Sequence, residues 1–259
     1  MEREKINQAV INYQNSLVTE KSESFVAAIV KANMPVRPPD YESLPQEDRR
    51  EKQWRYMQHN FFQNIDLKDE RLLRTPFLFE RIDYYVHKLT VQHPDTIALA
   101  IDQVLKQMEP GSEMLKIYLS HYLNEAARAK IVGMDAIYVY LIDNYYSKGL
   151  APWSDEENLR KFKENADRLR PILIGKTAPD LKMEKRDGSV INLYDVDSEF
   201  TVLYFWRYDC GYCKESTPKI KAFYDKWKTQ GVSLFAVCAK VGKEVPPCWE
   251  YIDDQDIND

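Results

Sequence analysis

Thr201-Val-Leu-Tyr-Phe-Trp-Arg-Tyr-Asp-Cys-Gly-Tyr-Cys213, with the stretch that runs on through Val232-Ser-Leu-Phe-Ala-Val237, decides the fold of the second part of this chain. Residues 201–206 are an apolar run of strand length. Within Lys214 to Gln230, Ile220, Phe223, Tyr224 and Trp227 share one helical face, and Gly231 ends the helix. Residues 232–237 are a second apolar run. Strand, helix and strand in that order predict a parallel pair with the helix packed across it. Upstream, Leu181 to Glu184 and Ser189 to Leu193 flank Asp187-Gly188, a hairpin turn signal.

Cys210 and Cys213 fall between the first strand and the helix. The first turn of a helix has unpaired backbone N–H groups and the positive end of the helix dipole. A thiolate is stabilised there, and the thiolate is the attacking species in disulfide exchange. Cys210, the more exposed thiol, is expected to attack. Cys213, one turn in, is expected to close the ring and release the partner. Gly211 keeps the approach to Cys210 open, and Tyr212 offers an apolar surface beside it.

A CxxC pair also occurs in zinc sites and in static disulfides. The other two cysteines, Cys238 and Cys248, form no second CxxC. The four histidines, His59, His87, His93 and His121, all lie in the first half of the chain. The strand–helix–strand context therefore favours a redox pair, with no metal and no cofactor expected. Cys238, at the end of an apolar strand, reads as a buried inert thiol. A second exchange pair between Cys238 and Cys248 is the less favoured reading.

Residues 1–170 read as a helical domain, and residues 171–259 as a second domain. Ile97, Ile101, Val104, Leu105 and Met108 recur at helical spacing, with Pro94-Asp95 as the start and Pro110-Gly111 as the stop. Leu115, Tyr118, Leu119, Tyr122, Leu123 and Ala126 repeat the pattern. So do Ile137, Tyr138, Leu141 and Tyr145. Ser154 and Glu157 have the spacing of a capping box for a helix carrying Leu159, Phe162, Ala166 and Leu169 inward. One long helix is expected over roughly 3 to 32, before the proline-rich connection at 34–45.

Hydrophobic residues make up 44% of the 259, enough for a packed core, and the net charge is -5. That mild acidity argues against nucleic acid as a partner, which calls for a concentrated basic face. No segment reaches the roughly 18 apolar residues of a membrane helix. The first five residues lack the apolar stretch of a secretory signal.

From Gly175 onward the chain resembles the TlpA/ResA-like branch of the thioredoxin superfamily. The residues that carry the resemblance are Gly175-Lys-Thr-Ala-Pro179, Asp187-Gly188, Phe205-Trp206, Cys210-Gly-Tyr-Cys213 and Pro218. Residues 54–174 look like the uncharacterised helical domain that precedes such modules in some bacterial envelope proteins. There the match rests on Asp69-Glu-Arg-Leu-Leu-Arg-Thr-Pro76, Ile82-Asp-Tyr-Tyr85, Gly133-Met-Asp-Ala136 and Asp143-Asn-Tyr-Tyr146.

The resemblance implies a helical domain followed by an α/β thioredoxin-like module. It implies a thiol–disulfide oxidoreductase of the periplasm or cell envelope, acting on protein thiols and disulfides. Trp206 and Pro218 would support the redox pair.

Two departures stand out. Asp209 replaces the tryptophan that often precedes the first cysteine, and its charge is expected to oppose thiolate formation. Ser216 stands where the motif often has an acidic residue. After Val237 only a short tail remains, so the βαβ module is expected to be incomplete, truncated before its cis-proline loop. Strand 201–206 would then have an open edge, for a partner strand to complete. The alternative function is a partner-binding scaffold whose incomplete module does no catalysis.

Overall fold

The computed structural model describes residues 2–255 and residue 257, the side chain of Arg3 excepted. It divides into two compact units, Met1–Thr177 and Ala178–Asp259.

The first unit is helical. Its elements are α1 (Glu2–Glu20), α2 (Phe25–Asn33), α3 (Gln46–Asn60), α4 (Pro76–Tyr84), α5 (Pro94–Leu105), α6 (Glu113–Arg128), α7 (Asp135–Leu141) and α8 (Glu156–Leu169). The expected single helix over residues 3–32 is two helices. Ser24 breaks it by capping α2, its Oγ accepting the Ala27 N–H at 3.1 Å. The cap of α8 lies one residue beyond the expected Ser154. Asp155 holds the Asn158 N–H at 2.7 Å, and a carboxylate complements the helix dipole better than a hydroxyl does.

The helical spacing of the apolar residues is realised as one continuous core. Ile97, Ile101, Val104 and Leu105 of α5 meet Leu115, Leu119, Tyr122 and Leu123 of α6, with Ile137, Tyr138 and Leu141 of α7. α4 and α7 each run directly into a wider π-helical turn, Tyr85–Leu89 and Ile142–Tyr146. In the second of these, Tyr145 sits under α5 and donates its hydroxyl to the buried Asp102 carboxylate at 2.9 Å. Lys106 closes the other side of that carboxylate at 2.6 Å. A buried carboxylate is tolerable only when it is paired in this way.

The second unit is α/β. β1 (Lys182–Glu184) and β2 (Val190–Asn192) form an antiparallel hairpin in the register Lys182↔Asn192. Its turn is at Asp187-Gly188, where Gly188 has φ 78°, a backbone state that favours glycine. β3 (Phe200–Trp206) and β4 (Val232–Cys238) pair in parallel from Phe200↔Val232 to Trp206↔Cys238. α9 (Gly211–Trp227) is the crossover between them. Phe223, expected on its buried face, is half-exposed, whereas Thr217 is buried.

α10 spans Pro246–Asp254, and proline suits its first helical position. It returns over the end of the sheet, where Tyr251 packs on Trp206 with ring centroids 5.4 Å apart. Arg186 in the hairpin turn grips Asp253 of α10 with two bonds of 2.7 and 2.8 Å. Among the described residues β3 has one strand neighbour, β4. No described helix is long and apolar enough to cross a membrane.

Candidate redox site

β3 ends at Trp206, buried by Tyr251, and the chain turns through Arg207 to Asp209 into α9. The Cys210 N–H bonds Arg207 O at 3.3 Å, which closes the turn. Cys210 is the N-cap of α9, extended at φ -97° and ψ 115°. Its sulfur takes the place of a capping oxygen and accepts the Cys213 backbone N–H at 3.3 Å. Cys210 and Cys213 are both free thiols and partly accessible. The strand places the pair, the cap orients Cys210, and one helical turn separates it from Cys213.

The two thiols differ in acidity. Cys210 is held below its ordinary value, first by the Cys213 thiol and then by the Cys213 backbone N–H. The Arg207 charge and the Tyr212 backbone N–H act in the same direction. Cys213 is pushed up, first by Cys210 and then by burial. Of the two thiols, Cys210 is therefore the one that ionises first.

The expected opposition from Asp209 is corrected by a contact far away in sequence. Lys240 Nζ bonds Asp209 Oδ2 at 2.9 Å, and Arg207 Nε lies 3.5 Å from Oδ1. The Lys240 bond is the main reason that the Asp209 carboxyl titrates below its usual range. Its charge is thus compensated by two cations, one of which also favours the Cys210 thiolate.

The remaining expected residues fall around the pair. Tyr212 is 86% exposed, the most solvent-facing of the large hydrophobic side chains among the described residues of the module. A side chain added at Gly211 would meet open space, so this glycine leaves room above the thiols without being demanded by the backbone. Pro218 lies inside α9 and has no N–H for the Lys214 carbonyl.

Three residues that the sequence reading did not assign complete the surroundings: Tyr204, Thr217, and Ser216 in a role of its own. Their hydroxyls gather beneath Cys213. Tyr204 and Thr217 are marked in the sequence only by strand alternation and helical spacing.

Cys238 and Cys248 are joined in a disulfide, not left as thiols. The buried inert thiol expected at Cys238 is thereby corrected. α10 starts early enough to bring Cys248, itself fully buried, back to the end of β4. Among the described residues no group of three or more His, Cys, Asp or Glu side chains could hold a metal ion.

The profile of the AhpC/TSA family matches residues 174–246. This segment is a thioredoxin-like domain. It is similar to the thiol-disulfide oxidoreductase ResA of Oceanobacillus iheyensis, 30% identical over 88 residues, which are 32% of this chain and 45% of that protein. It is also similar to the thiol-disulfide oxidoreductase ResA of Bacillus thuringiensis, 33% identical over 66 residues, 26% of this chain and 38% of that protein. The chain thus spans less than half the length of these curated relatives.

A crystal structure of a thioredoxin-like protein from Bacteroides caccae covers 86% of this chain and 78% of its own, with a TM-score of 0.58 at 14% identity. That likeness concerns fold alone, and it reaches well into the helical unit. The fold is therefore a helical domain joined to a thioredoxin-like module.

Proposed function

We propose that this protein is a thiol–disulfide oxidoreductase that exchanges disulfides with protein partners through Cys210 and Cys213. Cys210 is the nucleophile and Cys213 the resolving thiol. The observation that carries the reading is the Cys210 sulfur serving as the cap of α9, in place of an oxygen, with the Cys213 N–H directed at it.

In exchange, the Cys210 thiolate attacks one sulfur of a partner disulfide, and the partner's other sulfur leaves as a thiolate. Cys213 then loses its proton and attacks the Cys210 sulfur. The 210–213 disulfide forms, and the second partner sulfur leaves. Two electrons pass from the dithiol to the partner, and the reverse sequence oxidises a partner dithiol. Tyr212, standing in solvent beside Cys210, supplies apolar contact area for the partner chain.

The likeness to thiol-disulfide oxidoreductases over the module supports this reading. A periplasmic or envelope location is supported by the resemblance of the module and by the Cys238–Cys248 disulfide, since such bonds persist in oxidising compartments.

The test is turnover of insulin disulfides by the whole chain, beside Cys210→Ser and Cys213→Ser. Loss of turnover in the first and a trapped mixed disulfide in the second are expected. Unchanged turnover in Cys210→Ser removes the proposal.

A further inference from the structure

Beneath Cys213 three hydroxyls converge on the backbone of the first turn of α9. Thr217 Oγ1 donates to the Cys213 carbonyl at 2.8 Å, and Ser216 Oγ donates to the Tyr212 carbonyl at 2.8 Å. The Tyr204 hydroxyl lies 3.0 Å from each of these oxygens and 3.3 Å from the Cys213 carbonyl. Each hydroxyl has one proton. With those of Ser216 and Thr217 committed to carbonyls, the Tyr204 proton bridges to one of their oxygens or to the Cys213 carbonyl.

Tyr204 belongs to β3, whereas the other two belong to α9. The cluster therefore ties the turn that carries the resolving thiol to the strand below it. Thr217 is buried, so its hydroxyl has no water to turn to. Tyr204 and Thr217 also line a cavity of about 100 Å³, which leaves the phenol space to swing if its bonds are removed. One residue on, Pro218 interrupts the backbone ladder of α9, and back-bonded hydroxyls of this kind bend a helix. Pro218 leaves the Lys214 carbonyl without its helical partner, and the hydroxyl network adds a tie from the first turn to β3.

We propose that Tyr204 and Thr217, with Ser216 between them in the network, are positioning residues for Cys213. They hold its sulfur in line with Cys210 during ring closure. The proposal rests on the exchange role of the Cys210–Cys213 pair. Ring closure is the step most exposed to misplacement, because a small displacement of a reacting group can cost on the order of a hundredfold in rate. The first attack, by Cys210, draws on the cluster only indirectly, through the Cys213 thiol and N–H beside it, so it is expected to change less than ring closure does.

The probe is oxidised glutathione with the whole chain. The Cys210 thiolate attacks one glutathione sulfur and releases one glutathione thiolate. Cys213 gives its proton to solvent and attacks the Cys210 sulfur, releasing the second glutathione thiolate. The dithiol is oxidised and one glutathione disulfide is reduced. Rapid acid quenching and mass measurement follow the mixed disulfide, while iodoacetamide alkylation, located by peptide mass, reports Cys210 separately from Cys213.

In Tyr204→Phe and Thr217→Val, ring closure is expected to slow about tenfold, so that the mixed disulfide accumulates. Alkylation of Cys210 should stay within about twofold of the parent, and Thr217→Ser should recover most of the closure rate. Closure within twofold of the parent in both Tyr204→Phe and Thr217→Val overturns the proposal. So does an equal fall in Cys210 alkylation, which marks a general loosening of the module. A parent chain that never closes the 210–213 ring overturns it too. A parent that closes the ring with glutathione but leaves insulin untouched removes the protein-exchange reading alone.

Discussion

The two units are held together by different means. In residues 1–177 the core runs without interruption through α4 to α7 and includes large side chains buried to zero exposure, such as Ile82, Leu119 and Leu141. Among the described residues of 178–259, the buried apolar side chains are Leu193, Trp206, Phe235 and Cys248. That module has little interior to lean on. Its contacts are discrete and specific: a glycine turn, a disulfide from β4 to α10, and the Arg186–Asp253 and Lys240–Asp209 ion pairs. The contrast teaches that the reactive thiols belong to the thinner unit. There, a disulfide and a few directional bonds supplement a small core.

Four measurements can break or sharpen that contrast. The largest effect is expected at the nucleophile. Cys210→Ser should lower disulfide exchange by on the order of a hundredfold or more, with the helical unit unchanged by circular dichroism. In the parent, the rate of Cys210 alkylation should rise with pH along a curve whose midpoint lies below that of an ordinary thiol, as its lowered pKa requires.

Next comes the helical core. Leu119→Ala, at a site with no exposure, should cost about 2–5 kcal/mol of unfolding free energy by denaturant titration. Leu203→Ala, half-buried in β3, should cost less than about half of that, since the loss scales with the area covered. Equal losses would abolish the distinction between the units.

The third effect belongs to the disulfide. Replacing Cys238 and Cys248 together by serine removes a crosslink of sequence separation 10, for which loop closure gives about 2–3 kcal/mol. That loss should appear in the module's unfolding transition alone.

The smallest effect is a pH dependence in the helical unit. His87 Nε2 lies 3.1 Å from Glu125 and 3.5 Å from Asp83, and Glu125 also lies 3.5 Å from His121. Glu125 is the main reason that His87 titrates above its ordinary 6.5, against burial and the charge of Lys88. Glu125 in turn titrates below its ordinary 4.5, chiefly because of His87. The His87 contribution is fully present below 6.5 and is lost as pH rises through its elevated folded value. The Glu125 contribution is present above 4.5 and is lost as pH falls through its depressed folded value. The melting temperature of the helical unit should therefore fall on the alkaline side of this window, and Glu125→Gln should flatten that fall.

What could be read from the sequence was whatever depends on neighbours along the chain. The strand, the turn and the helix around Cys210 are local, and so are the hairpin at Asp187-Gly188 and the apolar faces of α5 and α6. The break at Ser24 is local as well, and its serine cap was the available signal.

What escaped depends on folding back. Asp209 looked like an obstacle to the thiolate because Lys240, its counter-charge, arrives from the far end of β4. The pairing of Cys238 with Cys248 is set by where α10 begins, which no spacing rule encodes. Tyr204 was one residue of an apolar strand until the sheet placed it under the first turn of α9.

The parallel register of β3 with β4 has a consequence for the order of events during synthesis. Cys210 and Cys213 emerge from the ribosome before Val232–Cys238 does, so the sheet that will shelter them cannot yet close. Until then the only thiols the emerging chain can offer an oxidant are these two. The later arrivals, Cys238 and Cys248, must find each other in the presence of a pair already able to react with them. Translation speed across α9 therefore bears on which sulfur bonds form first.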